Sequence, residues 1–153
     1  MRTVRVESVL PANVDQVWSA MLSPATFAYV CRGLFAVPAV AGRIEPLRAG
    51  DRGTGWLFAF HVLPAYRHTI EVIEVDAPTR TIRTRERGGV LRSWDHTLHA
   101  EPIDENTCTY SDSVDIDAGV LTPAVARIAT AIYRYRHRRW QKLVHTEEFS
   151  TLA

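Results

Sequence analysis

His96 and Asp112 are the two side chains of this sequence best suited, by type and spacing, to move a proton. Trp94, His96, Leu98 and Ala100 fall on one face of an alternating segment. Cys108, Tyr110, Asp112, Val114 and Ile116 fall on one face of the next, a face that is otherwise apolar. On neighbouring strands, Asp112 could reach the His96 imidazole and orient it as a base for abstracting a proton beside a carbonyl. The competing reading is a satisfied structural histidine. His99 lies three positions from His96 and points to the opposite face, so the two do not form a metal pair.

Arg136 is the second anomaly. At about 100° per residue, Arg136 and Arg139 fall in the same stripe of the last helical segment as Val125, Ile132 and Leu143, which turns at least one guanidinium toward the interior. A buried arginine needs an acid, and the candidates are Asp112, Glu86 and Asp95, with Asp112 the most attractive. Two readings stay open: a pair that fixes the helix, or an anchor for an anionic or carbonyl group of a ligand. Trp56, Phe58, Phe60, Tyr66, Trp94 and Tyr110 are many aromatics for one set of strands. About half are expected to fill core, and the rest to line an apolar pocket with Tyr66, His68, His96, Tyr110 and Asp112 as its polar groups.

The elements that must position these residues are legible in outline. Residues 2–10 alternate as a half-buried strand that Pro11 ends. Asn13 caps a helix with Val14, Val17, Trp18, Met21 and Leu22 as its apolar stripe, and Ser23-Pro24 starts a second short helix that Gly33 stops. A strand is expected around residues 40–47, and another over Trp56–Val62 with Trp56, Phe58 and Phe60 stacked on one side. Residues 66–76, 79–87, 90–101 and 107–117 complete a meander whose short turns force antiparallel neighbours. From Leu121 to Leu143 the spacing predicts a helix burying Leu121, Val125, Ile128, Ala129, Ile132, Tyr135, Trp140 and Leu143. Thr122 and Pro123 mark its start, and Arg134, His137, Arg138, Gln141 and Lys142 face away.

A strand, two short helices, a meander and a long terminal helix is the order of an α+β helix-grip fold. In that fold a curved antiparallel sheet of about seven strands surrounds the helix and leaves a cavity between them. The 153 residues suit a single domain over 1–153, and 46% hydrophobic with 23% charged residues is enough to bury a core. A net charge of +1 points to no nucleic-acid partner, and Cys31 and Cys108 read as buried thiols. The glycine turn over residues 50–55 matches no phosphate-loop spacing, and the basic end of the last helix reads as a solvated face. The N-terminus alternates charged and apolar residues, and the longest weakly polar run, Leu34–Gly42, is too short to span a bilayer. A cytoplasmic protein without stable membrane insertion, a monomer or homodimer, is the expectation, with no cofactor or metal implied.

Four stretches also resemble a known superfamily: Pro11-Ala12-Asn13-Val14-Asp15-Gln16-Val17-Trp18, Trp94-Asp95-His96-Thr97-Leu98, Tyr110-Ser111-Asp112, and Tyr133 through Trp140. They are similar to members of the START-related helix-grip superfamily (SRPBCC), which includes polyketide cyclases and dehydratases, pollen-allergen-like proteins and lipid-transfer domains. The resemblance implies a carrier of a small apolar ligand such as a lipid or polyketide-like molecule. It also implies, as alternatives, a cyclase or dehydratase with His96 as base and Arg136 or Tyr110 steadying an oxyanion, or a protein-interaction module.

Overall fold

The computed structural model describes residues 1–152, and the first strand, β1 (Arg2–Leu10), does not pair with its sequence neighbours. It pairs antiparallel with the last strand, β7 (Thr107–Asp117), with Val6 opposite Asp112 and Ser8 opposite Tyr110. Between them in sequence lie α1 (Val14–Met21), α2 (Pro24–Cys31), β2 (Phe35–Ala36), α3 (Pro38–Ala41), β3 (Arg52–Ala59), β4 (Leu63–Asp76), β5 (Thr81–Gly88) and β6 (Leu91–Asp104). The sheet order is β1-β7-β6-β5-β4-β3-β2, antiparallel throughout, and it curves into a half-barrel. Extra residues interrupt the ladders at Ala65 and Ile73 in β4, and in β6 opposite Arg87 and at Ile103, where they bend the strand.

The long helix α4 (Thr122–Leu143) lies against β1, β7 and α2, and α5 (Glu147–Leu152) follows it. Asn13 caps α1, its side-chain oxygen accepting from the Asp15 amide at 2.8 Å. Thr122 opens α4 from inside the helix: its hydroxyl donates to the Gly119 carbonyl and accepts from the Ala118 amide. One core cluster gathers α1, α2, Ile82, Tyr110, Trp140 and Leu143; a second joins Val4, Val114 and Ile116 to Ala126, Ala129 and Tyr133. Among the described residues, no helix is long and apolar enough to cross a membrane.

Three expectations are corrected. Residues 40–47 hold no strand, since Pro38 starts the short α3 and residues 43–50 run irregularly; the strand in this region is the two-residue β2. The strand expected over Trp56–Val62 stops at Ala59. Phe60 and His61 adopt positive φ angles of 51° and 66°, turning the chain into β4. Hydrogen bonds hold that turn, from the Phe60 amide to the Leu34 carbonyl and from the Gly33 amide to His61 Nε2. The buried face of α4 is also rotated from the expected one. Tyr133, Arg136 and His137 are buried alongside Ala129, Trp140 and Leu143, while Leu121 and Ile128 are exposed.

Candidate functional site

Strand parity brings one row of polar side chains to the concave face of the sheet. His68 from β4, Thr84 and Glu86 from β5, His96 from β6 and Tyr110 and Asp112 from β7 all point inward, because each sits at an inward position of its own strand. The row falls into two hydrogen-bonded groups, one centred on Glu86 and one on Asp112. His68 Nε2 lies 2.9 Å from Glu86 Oε2, and Thr84 Oγ1 donates to Glu86 Oε1 at 3.1 Å. His96 Nδ1 is 3.8 Å from Glu86 Oε1, beyond hydrogen-bond reach, while its Nε2 meets Asp112 Oδ1 at 2.6 Å. Tyr110 donates to the same oxygen at 3.2 Å. Asp112 Oδ2 meets His137 Nε2 at 3.0 Å, and His137 Nδ1 reaches Ser8 Oγ at 2.6 Å.

Both carboxyl groups are held ionised. Burial alone would raise Glu86, but hydrogen bonding with His68 and the proximity of His96 outweigh it and bring the group to about 2. Burial also opposes ionisation of Asp112, and the Arg136 charge with the His137 and His96 hydrogen bonds takes it well below the usual carboxylate range. An ionised carboxylate only accepts, so His96 and His137 both donate to Asp112 through Nε2. Burial lowers the His96 pKa, yet Asp112 and Glu86 reverse that and raise it above its ordinary value. The cationic form of His96 is thus favoured by the two carboxylates beside it. Burial pushes Tyr110 and Tyr133 well above the ordinary phenol value, and Tyr66 up to about 12.

Above this row opens a cavity of about 730 Å³, within the range of small-molecule sites. Its wall is apolar: Leu57, Ile70, Leu91, Trp94 and Leu98 from the sheet, Phe27 and Val30 from α2, and Val125, Ile128 and Ile132 from α4. Phe60, Val90 and Ile128 are exposed and rim its mouth. Tyr66, His68, Trp94, His96, Tyr110 and Arg136 also line it, whereas Asp112 sits one hydrogen bond behind His96. Trp56 and Phe58 do not line it. Trp56 is on the convex side, half exposed, because the plain alternation of β3 gives its concave positions to Gly53, Leu57 and Ala59.

The Arg136 pairing also differs from expectation. Asp112 influences Arg136 by charge, but its oxygens are taken by His96, Tyr110 and His137, and Arg136 makes no ion pair with it. Asp95 is outside, half exposed beside Arg85. Among the described residues no cluster of three or more His, Cys, Asp and Glu side chains is arranged to hold a metal ion. Cys31 and Cys108 are buried free thiols, each pushed up to about 11 by burial, which leaves them protonated.

Residues 8–144 match a family described as a domain of unknown function, DUF8410. The chain belongs to DUF8410. No curated protein matches it. In structure this DUF8410 chain is similar to norcoclaurine synthase from Thalictrum flavum, solved in complex with dopamine and hydroxybenzaldehyde. That comparison gives a TM-score of 0.68 and 16% identity over 95% of this chain and 88% of the other. It is also similar to a protein from Chromobacterium violaceum (TM-score 0.71, 17% identity, 95% and 98% covered). A third is the Zhui aromatase/cyclase from Streptomyces sp. R1128 (TM-score 0.62, 15% identity, 92% and 89% covered). At these identities the likeness establishes the fold of this chain, a helix-grip architecture.

His137, Ser8 and Thr84 belong to the polar row although residue type alone does not single them out in the sequence of this DUF8410 chain. His137 was placed on the outer face by its polarity, although an inward Asp112 beside an inward Ser8 already called for a donor from the helix above them. Glu86 entered only as a partner for Arg136, whereas it is His68 and Thr84 that bind it.

Proposed function

We propose that the chain, as a single helix-grip domain, binds a small, largely apolar organic molecule between the sheet and α4. The supporting observation is the cavity of about 730 Å³, bounded by aliphatic and aromatic side chains and opening at Phe60, Val90 and Ile128. An interior closed by side chains would have favoured an interaction module. The experiment is titration with the uncharged fluorescent probe N-phenyl-1-naphthylamine. Saturable one-to-one binding is expected, and Ile132→Trp, which puts an indole into the cavity, is expected to remove it at nearly unchanged unfolding midpoint. Absence of saturable binding by the wild-type protein would overturn the reading.

A second reading, catalysis of the cyclase or dehydratase kind, is favoured by one contact, His96 Nε2 to Asp112 at 2.6 Å beside the cavity. A cationic His96 serves as general acid toward a ligand oxygen and becomes the base once its proton is delivered. Turnover of a carbonyl-bearing polyketide analogue that survives in His96→Ala would remove this role.

A further inference from the structure

Arg136 is the one buried cation of the cavity wall that no side chain of the described residues satisfies. It projects from α4 with only 6% of its surface exposed, its Nε has no hydrogen-bond partner, and no carboxylate pairs with it. Its guanidinium carbon lies over the Tyr133 ring, 5.2 Å from the ring centroid. The two carboxylates that could have served are already engaged. Asp112 accepts from His96, Tyr110 and His137, and Glu86 is bonded to His68 and Thr84. Asp112 still acts on Arg136 through its charge, which outweighs burial and keeps the guanidinium firmly protonated. A protonated guanidinium in a buried wall with its planar fork of donors unmet is a costly arrangement unless a ligand supplies the acceptors.

We infer that the ligand carries a carboxylate, which Arg136 binds through its fork while the apolar remainder fills the cavity. This rests on the proposal that the cavity holds an apolar molecule. The placement fits a carboxylate with a hydrocarbon tail. Arg136 lies eight residues beyond Ile128 along α4, about 12 Å deeper than the mouth at a rise of 1.5 Å per residue. Ile132, Leu91, Trp94 and Leu57 line the same cavity. A carboxylate head therefore sits at depth with its chain directed at Phe60 and Val90. Asp112 and Glu86 repel it, so the gain from the fork is expected to be partial, on the order of tenfold in affinity.

The test displaces N-phenyl-1-naphthylamine with a matched pair, dodecanoate and dodecan-1-ol, at mildly alkaline pH where the acid is ionised. The wild-type protein is expected to prefer dodecanoate by about tenfold, Arg136→Met to bind both like the alcohol, and Arg136→Lys to fall between. Equal affinities in the wild type, or a preference that survives in Arg136→Met, would overturn the inference and leave the apolar-ligand reading standing. If neither compound displaces a saturably bound probe, the carboxylate inference falls and the apolar-ligand reading stands on the probe titration. A variant-free readout covers a poorly folding Arg136→Met: the Arg136 Nε–H resonance is expected to shift with dodecanoate and not with dodecan-1-ol, and an unmoved resonance would equally overturn it.

Discussion

Asp112→Asn removes one unit of buried charge at nearly constant shape, and its effect can be followed group by group. Asp112 is 1% exposed and accepts from His96, Tyr110 and His137. An asparagine oxygen can keep the His96 and Tyr110 side, but the amide nitrogen then faces His137 Nε2–H, donor against donor. His137 can escape by switching tautomer, because Ser8 Oγ accepts as readily as it donates. What cannot be relieved locally is charge: the buried Arg136 guanidinium loses the negative charge that offsets it, and His96 loses one of its two carboxylates. Removing one partner from a buried ionic cluster costs about 3–5 kcal/mol, and the His137 escape points to the lower end, about 3 kcal/mol. In a chain of this size that is roughly 6–12 °C of Tm. Urea unfolding monitored by tryptophan fluorescence measures it, and the double variant Asp112→Asn/Arg136→Met is expected to recover about 1 kcal/mol or more relative to additivity. A loss under about 1 kcal/mol, or strictly additive variants, would refute the claim that Asp112 is the electrostatic centre of the site.

The same cluster sets a pH profile. Glu86 titrates at about 2 in the folded chain against an ordinary 4.5, so its contribution is complete above 4.5 and disappears as pH falls through the interval toward 2. His96 is raised above 6.5, so its contribution is complete below 6.5 and fades as pH rises through the folded value. Glu86→Gln should flatten the acid limb of urea midpoint against pH, with Asp112 supplying the remainder; an acid limb as steep as the wild type's would contradict the assignment. Gly88→Ala is expected to cost about 1–3 kcal/mol and to weaken probe binding, because a Cβ there meets the Arg67 carbonyl and the ring edge of Tyr66, 2.7 Å away, at the cavity mouth. Unchanged stability and binding in that variant would show that the β4–β5 ladder gives way without cost.

Legibility followed the clarity of the local signal. β1 and β7 occupy the residues their alternation predicts, and α1 begins after the Asn13 cap, since one face of each of these elements is apolar and its ends are punctuated. The failures share a cause in tertiary context. β2 is two residues long, too short to leave a period, and α3 borrows a proline-started turn from a stretch with no pattern. Trp56 and Phe58 face outward because β3 is apolar on both sides and its alternation turns Leu57 and Ala59 inward, a choice that aromatic content does not decide. Strand parity alone placed His96 and Asp112 on a common inward surface, whereas the Asp112 engagement with His137 depends on the rotation of α4, which its sequence left ambiguous.

That ambiguity has a physical source, because α4 serves two surfaces. Ala126 and Ala129 are small enough for the helix to settle on Val4, Val114 and Ile116 at the β1–β7 edge. A neighbouring stripe, Val125, Ile128 and Ile132, overhangs the cavity and is only partly covered. One stripe is packed and the other is left facing open space, so apolar residues span more of the circumference than a single buried face requires, and periodicity averages the two. Arg136 and His137 sit where the stripes meet the polar row, which is why two ionisable residues are buried on a helix rich in exposed arginines. The close helix–sheet contact at Ala126 and Ala129 and the open cavity beside it thus follow from one arrangement: anchoring at the β1–β7 edge holds α4 over β3–β6 without letting it fill the hollow they form.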